Sequence, residues 1–365
     1  GGSDSMTPRE RALACLNHEP ADRLCVGGSF RPEVWEKLKA HFGTESTSEI
    51  TAELGISFRG GVGMRPLAEW LERSTNTPLG RGILHEDGSV ENEWGVRQII
   101  DGSGPYMRYT HHPLADESAL DSYEFPDIST AERWEGLEER VQELKQEHVV
   151  SAGTGTFYRD AWDLRGLEQW LCDIAEESAF MLKLLDRMLE YKLEVVTRFA
   201  RMGVDMINIG GDIALHTGPF MKPDTWRKHF KWRTAALIDA ARQHGVQHFF
   251  LHSDGNLMPI LDDLIEVGFT VLDPVQPECM DPNEVKERYG DRITLHGTIS
   301  SQQTLPFGSV ESVRAEVRDR VARCGYNNGL VIAPNNVVQF DVPLENLLAV
   351  YDTVKEIGPD FYQAS

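Results

Sequence analysis

The sequence contains no apolar run approaching the roughly 20 residues that a membrane-spanning helix requires. Nor does Met6-Thr-Pro-Arg-Glu-Arg11 resemble a secretory leader, so a soluble, cytoplasmic protein is expected. Positive charge is scarce: 36 Lys and Arg stand against 58 Asp and Glu, a net charge of −22. Nucleic acid and anionic membranes both need a basic footprint and are not expected as partners, although a local basic pocket stays compatible with this balance. Cysteine is also sparse. The five cysteines, Cys15, Cys25, Cys172, Cys279 and Cys324, are widely spaced and include no Cys-x-x-Cys. That pattern excludes a disulfide framework and a thiolate zinc knot, and points to mostly buried thiols. Nucleotide loops are missing as well: Gly153-Thr-Gly155-Thr-Phe-Tyr158 lacks the third glycine of a dinucleotide fingerprint, and no Gly-x-x-x-x-Gly-Lys-Ser/Thr occurs.

What is present suits a globular α/β protein. The 365 residues are 41% hydrophobic and can fill one large domain. Gly1 to Ser5 reads as a leader, and residues 6–365 as one domain. Thr7 to His18 is expected to be a helix, with Thr7 as N-cap, Pro8 at the first helical position, and Arg9 and Arg11 exposed or pointing at a site. Arg23 to Val26 and Gly55 to Arg59 read as strands. Arg31, in the flexible loop Gly27 to Pro32, is placed to face a ligand ahead of a helix at Glu33 to Phe42. Glu91 to Ile100 and Tyr106 to Thr110 form a predicted hairpin, so residues 91–110 are an expected surface insertion. A connector from Asp116 to Ser129 leads to a charged helix at Ala131 to Glu147.

From Val149 onward, short apolar runs alternate with long amphipathic segments. The runs are Val149 to Ala152, Asp205 to Ile209, Gln247 to Leu251, Thr270 to Leu272, Arg292 to Leu295 and Leu330 to Ala333. Helices fit at Leu167 to Met202, Pro223 to His244, Leu257 to Val267, Pro282 to Tyr289, Val310 to Cys324 and Leu344 to Ile357. Such alternation implies a parallel sheet, and with the two early strands the count reaches eight, which predicts a (β/α)8 TIM barrel.

A barrel of this kind assembles its site from the C-terminal ends of its strands, so residues distant in sequence can be grouped on topology alone. The group comprises Tyr158, Arg159 and Asp160; Asp212 and His216; His252 and Asp254; Asp273 and Gln276; His296; and Asn335 with Asn336. His252 and Asp254 lie two apart on an extended chain and point the same way. Histidines and carboxylates at these ends suit a divalent metal with nitrogen and oxygen ligands. A purely hydrogen-bonding polar site is equally compatible, with the aspartates as helix caps and Tyr158 as a wall residue. The same carboxylates could also hold pyrrole N–H groups.

Several segments together resemble the uroporphyrinogen decarboxylase family, whose relatives include zinc methyltransferases acting between cobamides and thiols. They are Thr7-Pro-Arg-Glu-Arg-Ala-Leu-Ala-Cys-Leu-Asn-His-Glu-Pro-Ala-Asp-Arg23, Phe250-Leu-His-Ser-Asp-Gly-Asn-Leu-Met-Pro-Ile-Leu-Asp-Asp-Leu-Ile-Glu-Val-Gly268, Asp273-Pro-Val-Gln-Pro277, Tyr289-Gly-Asp-Arg-Ile293, Ala333-Pro-Asn-Asn336 and Asp341-Val-Pro-Leu-Glu-Asn346. The resemblance implies a (β/α)8 barrel. Where decarboxylases carry Met-Arg-Gln-Ala-Gly-Arg, this chain has Val26-Gly-Gly-Ser-Phe-Arg31. Where the methyltransferases carry His-x-Cys and a later Cys, it has His252-Ser253-Asp254 and Asn335-Asn336. The resemblance thus leads to a metal-assisted methyltransferase moving a methyl group from a small donor to a corrinoid acceptor. Zinc or another divalent metal is expected on His252, Asp254, His296 and His216, and a cobamide presented by a corrinoid protein as the partner. Asp212, Tyr158 and Asp254 are the expected catalytic residues; Arg31, Arg59, Arg65, Gln276 and Asn336 are the expected substrate contacts. The alternative is cofactor-free decarboxylation of a tetrapyrrole, with Asp212 or Asp254 on a protonated pyrrole and Arg31, Arg59 or Arg65 on its carboxylates. A second alternative is a non-catalytic tetrapyrrole- or cobamide-binding protein. A homodimer is compatible with all three.

Overall fold

The computed structural model describes residues 5–58, 60–100 and 106–363. Eight short strands form its centre: β1 (Cys25–Val26), β2 (Gly61–Val62), β3 (Ser151–Gly153), β4 (Met206–Asn208), β5 (His248–His252), β6 (Val271–Asp273), β7 (Thr294–His296) and β8 (Leu330–Ile332). They run in the order β1-β8-β7-β6-β5-β4-β3-β2, and every neighbouring pair is parallel. The row curls back on itself, because Ile56, just ahead of β2, pairs in parallel with Val26 of β1. This is the (β/α)8 architecture that the strand count predicted. The strand read at Gly55 to Arg59 is thereby displaced: Ile56 makes the joint to β1, whereas Gly61 and Val62 pair with β3.

Alternation along each strand separates two cores. On β5, Phe249 and Leu251 join the large cluster between sheet and helices, whereas Phe250 packs on a small cluster inside the barrel. That inner cluster contains Cys25, Val149, Met206, Val271 and Val331, together with Ala12, Cys15 and Leu16 of the N-terminal helix Pro8–Leu16. A capping box between Thr7 and Glu10 starts this helix. It plugs the end of the barrel at which the strands begin. Arg9 donates to both Asp205 oxygens at 2.8 Å and to His148 O at 2.7 Å, and Arg11 pairs with Asp22 and reaches Ser57 Oγ. Both arginines anchor the plug and lie away from the strand C-termini, so they do not point at the site.

Two expected helices are broken. The segment Leu167 to Met202 divides into Leu167–Glu176 and Ala179–Arg201, because Glu177 turns to φ 50° and Ser178 caps the second helix by accepting from Met181 N–H. Ala131 to Glu147 divides at Gly136 (φ 75°) into a short turn Ala131–Arg133 and the helix Leu137–Leu144. The expected hairpin is the end of something larger. Between β2 and β3, the strands Thr75–Thr77, Gly80–Leu84, Val90–Glu91, Arg97–Ile100 and Met107–His111 form a five-stranded antiparallel meander. Its last two strands correspond to the predicted hairpin, whose connection, residues 101–105, lies outside the described residues. Arg133, fully buried, fastens the meander by donating to Glu93 at 2.8 Å and to Arg65 O at 3.0 Å. No described helix is long and apolar enough to cross a membrane.

Candidate functional site

β5 ends at His252, which points inward because it lies two residues beyond the lumen-facing Phe250. The chain then turns through Ser253, Asp254 and Gly255. β4 leads in the same way to Gly210, Gly211 and Asp212. Asp212, His252 and Asp254 each place one potential ligand atom within 4.8 Å of the others. Two glycines permit this approach. Gly211 has φ 131°, and a Cβ there would stand 2.6 Å from Thr156; Gly255 has φ 87°, and a Cβ there would stand 2.6 Å from Ala214 O. Ser253 sews the loops together, donating N–H to Asp273 O at 2.8 Å and accepting Ile213 N–H on Oγ at 3.1 Å. Asp254 N–H donates to Asp212 Oδ1 at 3.2 Å, and the buried Gln276 accepts Gly255 N–H at 2.9 Å.

Asp273 organises the electrostatics. Its Oδ2 lies 2.7 Å from His252 Nδ1 and its Oδ1 lies 2.6 Å from His296 Nδ1. Burial alone would raise the Asp273 pKa, but the two imidazoles outweigh it and hold the carboxyl below its ordinary range. With Nδ1–H donated to Asp273, His252 keeps its lone pair on Nε2, the tautomer that a metal or proton requires. The hydrogen bond to Asp273 raises the His252 pKa against the opposing effect of burial, and the charges of Asp273, Asp254 and Asp212 add to it. Burial, then the neighbouring Asp212, raises that of Asp254. Asp254 Oδ1 is buried and finds no hydrogen-bond partner among the described residues. Two carboxylates and an imidazole crowded in this way can take up a divalent cation through oxygen and nitrogen donors, or share a proton.

The other predicted residues are distributed around this group. His296 lines a mouth cavity of about 270 Å³ together with Gly28, Ser29, His252 and Asn336, and rests against Phe58 and Phe250 at ring distances of 5.2 and 5.5 Å. It faces the barrel interior but stands outside the three-residue group. His216 is exposed on a small hairpin after β4, its Nδ1 3.3 Å from Cys279 Sγ, so it too stands apart. Cys15, Cys25 and Cys324 are the buried thiols; Cys172 is exposed and Cys279 half-buried. Tyr158 is 3% exposed and does not face the mouth: its hydroxyl accepts from Trp226 Nε1 at 2.7 Å and its ring stacks on Phe230. Arg31 is exposed with its Nε 3.8 Å from Glu33, and Arg65, also exposed, is fixed by backbone bonds to Arg133. Arg59 lies outside the described residues. Asp273, grouped by the sequence with the strand-end residues but given no catalytic or ligand role there, holds both histidines, and a signal for this exists in the sequence. Three adjacent strands, β5, β6 and β7, end in the inward residues His252, Asp273 and His296, and His252 is in register with Asp273.

The family model described as uroporphyrinogen decarboxylase (URO-D) matches residues 98–357 of the chain. Among characterised proteins, the methylcobamide:CoM methyltransferase MtaA of Methanosarcina barkeri is 28% identical over 355 residues, covering 94% of this chain and 96% of that protein. Its counterpart from Methanosarcina barkeri strain Fusaro (DSM 804) is 27% identical over the same shares. A solved methyltransferase from Methanosarcina mazei has the same fold, with a TM-score of 0.66 at 20% identity over 97% of this chain and 99% of that one.

Proposed function

The chain belongs to the uroporphyrinogen decarboxylase family, and from that premise we propose that it is a metal-assisted methyltransferase moving a methyl group from a small donor to a corrinoid acceptor. The observation that carries this reading is the convergence of Asp212, His252 and Asp254 within 4.8 Å at the barrel mouth. The donor set fits a divalent metal: Asp254 Oδ1 is buried without a partner among the described residues, and burial, then the adjacent Asp212, raises the pKa of Asp254, a penalty on its charge that a cation relieves. Asp212, His252 and Asp254 would hold the ion, which as a Lewis acid would polarise the oxygen of a methyl donor. Oxygen and nitrogen ligands favour a harder donor atom than a thiol.

The chain's own residues have distinct tasks in this scheme. Asp273 fixes the His252 ring and its tautomer, and binds His296 in the same way. Gln276 and Ser253 keep the loop bearing Asp254 in place. Asp254, its carboxyl raised by burial and by Asp212, would hold a proton only while the site is empty; as a ligand it would be a carboxylate, and the ion itself would stabilise a departing alkoxide. A corrinoid partner is supported by the likeness to the methylcobamide:CoM methyltransferases, in whose name the methylated cobamide is the donor; its role as acceptor here is our own reading, drawn from the oxygen and nitrogen donor set. Tetrapyrrole decarboxylation draws less support, since Val26-Gly-Gly-Ser-Phe-Arg31 stands in place of the arginine-bearing decarboxylase loop and the Nε of Arg31 lies 3.8 Å from Glu33. Elemental analysis of protein purified without chelator tests the proposal. Near-stoichiometric zinc, iron or manganese that vanishes in His252→Ala is the expected result, and a wild type that stays metal-free when these ions are supplied in excess overturns it.

A further inference from the structure

Below the Asp212–His252–Asp254 group, within the barrel, lies a cavity of about 240 Å³ lined by Phe58, Gly60, Ser151, Asn208, Phe250 and His296, among others. Barrels of this class usually fill their interior with layers of branched side chains. Here the cavity is lined on the side of β2 and β3 by Gly60, just ahead of β2, and by Ser151 of β3, neither of which carries a branched apolar side chain. Gly153 lies two residues beyond Ser151 on the same face of β3, and a Cβ there would meet nothing closer than Asn208 O at 3.9 Å. Aromatic rings supply much of the rest of the lining. Phe58 and Phe250 are near-parallel at 6.3 Å, and Phe58 lies 5.2 Å from the His296 ring. His296 lines both this cavity and the mouth cavity, so the two adjoin at its ring. One polar group is left over. Asn208 Oδ1 is buried and has no hydrogen-bond partner among the described residues, while its Nδ2 lies 3.5 Å from Ser151 Oγ. A buried orphan acceptor on the wall of a cavity is a costly arrangement that a donor on a bound molecule would relieve.

We propose that the lumen cavity is a binding subsite for a phenol-type ring, a compact planar group bearing a hydroxyl that donates to Asn208 Oδ1. An apolar cavity of about 150 Å³ accommodates benzene, so this one has room for a ring with its hydroxyl and a further small substituent. The aromatic lining supplies stacking and edge contacts, and the ring reaches the lumen past His296 from the mouth. That direction rests on reading the mouth as the reaction centre. The cavity itself does not depend on that reading.

Calorimetric titration of the full-length protein with phenol, and with toluene as the analogue lacking the hydroxyl, tests the assignment. Phenol is expected to bind saturably, one per chain. Gly153→Leu, whose backbone φ is open to any residue, should fill the lumen and weaken phenol at least about tenfold. Asn208→Ala should weaken phenol about fivefold, the contribution of one hydrogen bond, and leave toluene unchanged. His252→Ala should keep phenol binding even as it loses metal. The proposal is overturned if the wild type shows no saturable phenol binding, if Gly153→Leu binds phenol as the wild type does, or if His252→Ala loses phenol together with metal. Should circular dichroism show Gly153→Leu unfolded, Asn208→Ala decides alone, and an equal effect on phenol and toluene refutes the subsite. Metal content is read separately, so a failed metal reading and a failed subsite give different results.

Discussion

Replacing Asp273 by asparagine removes half of what holds the two mouth histidines while preserving the shape of the side chain. The carboxylate accepts from His252 Nδ1 at 2.7 Å and from His296 Nδ1 at 2.6 Å, and its side chain is only 13% exposed. An amide offers one oxygen and one NH2, so one of the two imidazoles must turn from donating to accepting at Nδ1. If that ring is His252, its proton moves to Nε2 and the lone pair needed by a metal is lost. Loss of such a supporting carboxylate typically costs about 10–100-fold in metal affinity, or about 1.4–2.8 kcal/mol. The fold should lose about 1–3 kcal/mol, because charge-assisted bonds are exchanged for neutral ones. The His252 pKa, raised chiefly by this hydrogen bond, should fall. A group whose folded pKa is raised contributes stability that is complete below its unfolded pKa and is lost as pH rises through the folded one. Asp273→Asn should therefore remove a stability increment seen in mildly acidic solution and absent at alkaline pH. Competition against a chromophoric chelator measures affinity, and urea unfolding across pH measures stability. Wild-type metal affinity in an Asp273→Asn protein that has lost stability would refute the role assigned to Asp273.

Two further substitutions probe residues away from the ligands. Tyr158→Phe leaves the buried Trp226 Nε1 without its acceptor at 2.7 Å and should cost about 1–3 kcal/mol in urea unfolding with metal content unchanged; a selective loss of turnover with no loss of stability would return Tyr158 to the chemistry. Arg9→Ala strips the double contact from Asp205 and should cost about 2–3 kcal/mol, with phenol and metal binding preserved because the plug closes the opposite end of the barrel. Burial alone would raise the Asp205 pKa, but the hydrogen bonds from Arg9 and Val150 N–H and the nearby positive charges outweigh it. That contribution is present above the unfolded carboxyl value of about 3.9 and disappears as pH falls through the lower folded value. Urea midpoints measured from pH 6 downward should accordingly decline less steeply in Arg9→Ala, and parallel acid limbs would contradict the assignment.

The sequence by itself determined the barrel and the neighbourhood of its site. Strand runs such as Gln247 to Leu251 are short, apolar and bounded by turn residues, and their alternation with amphipathic helices is a local pattern that tertiary packing reinforces. The position of His252 and Asp254 at the end of one such run followed from the same pattern, as did the placement of Asp212 at the end of another. Tertiary structure decided what local patterns do not encode. The break at Glu177 depends on one residue adopting φ 50°, a conformation uncommon outside glycine and one that a glutamate in a helical pattern does not announce. The meander from Thr75 to His111 is polar and only partly buried, so its first strands lack the alternation that marks a sheet with one covered face. The partner of each side chain was also beyond local reading. Tyr158 turned into the helical layer because Trp226, in a helix 68 residues away, offers its indole N–H. His252 and His296 meet on Asp273 because strand register brings three strand ends side by side, and register is set by pairing across the whole sheet, not by the residues of one strand.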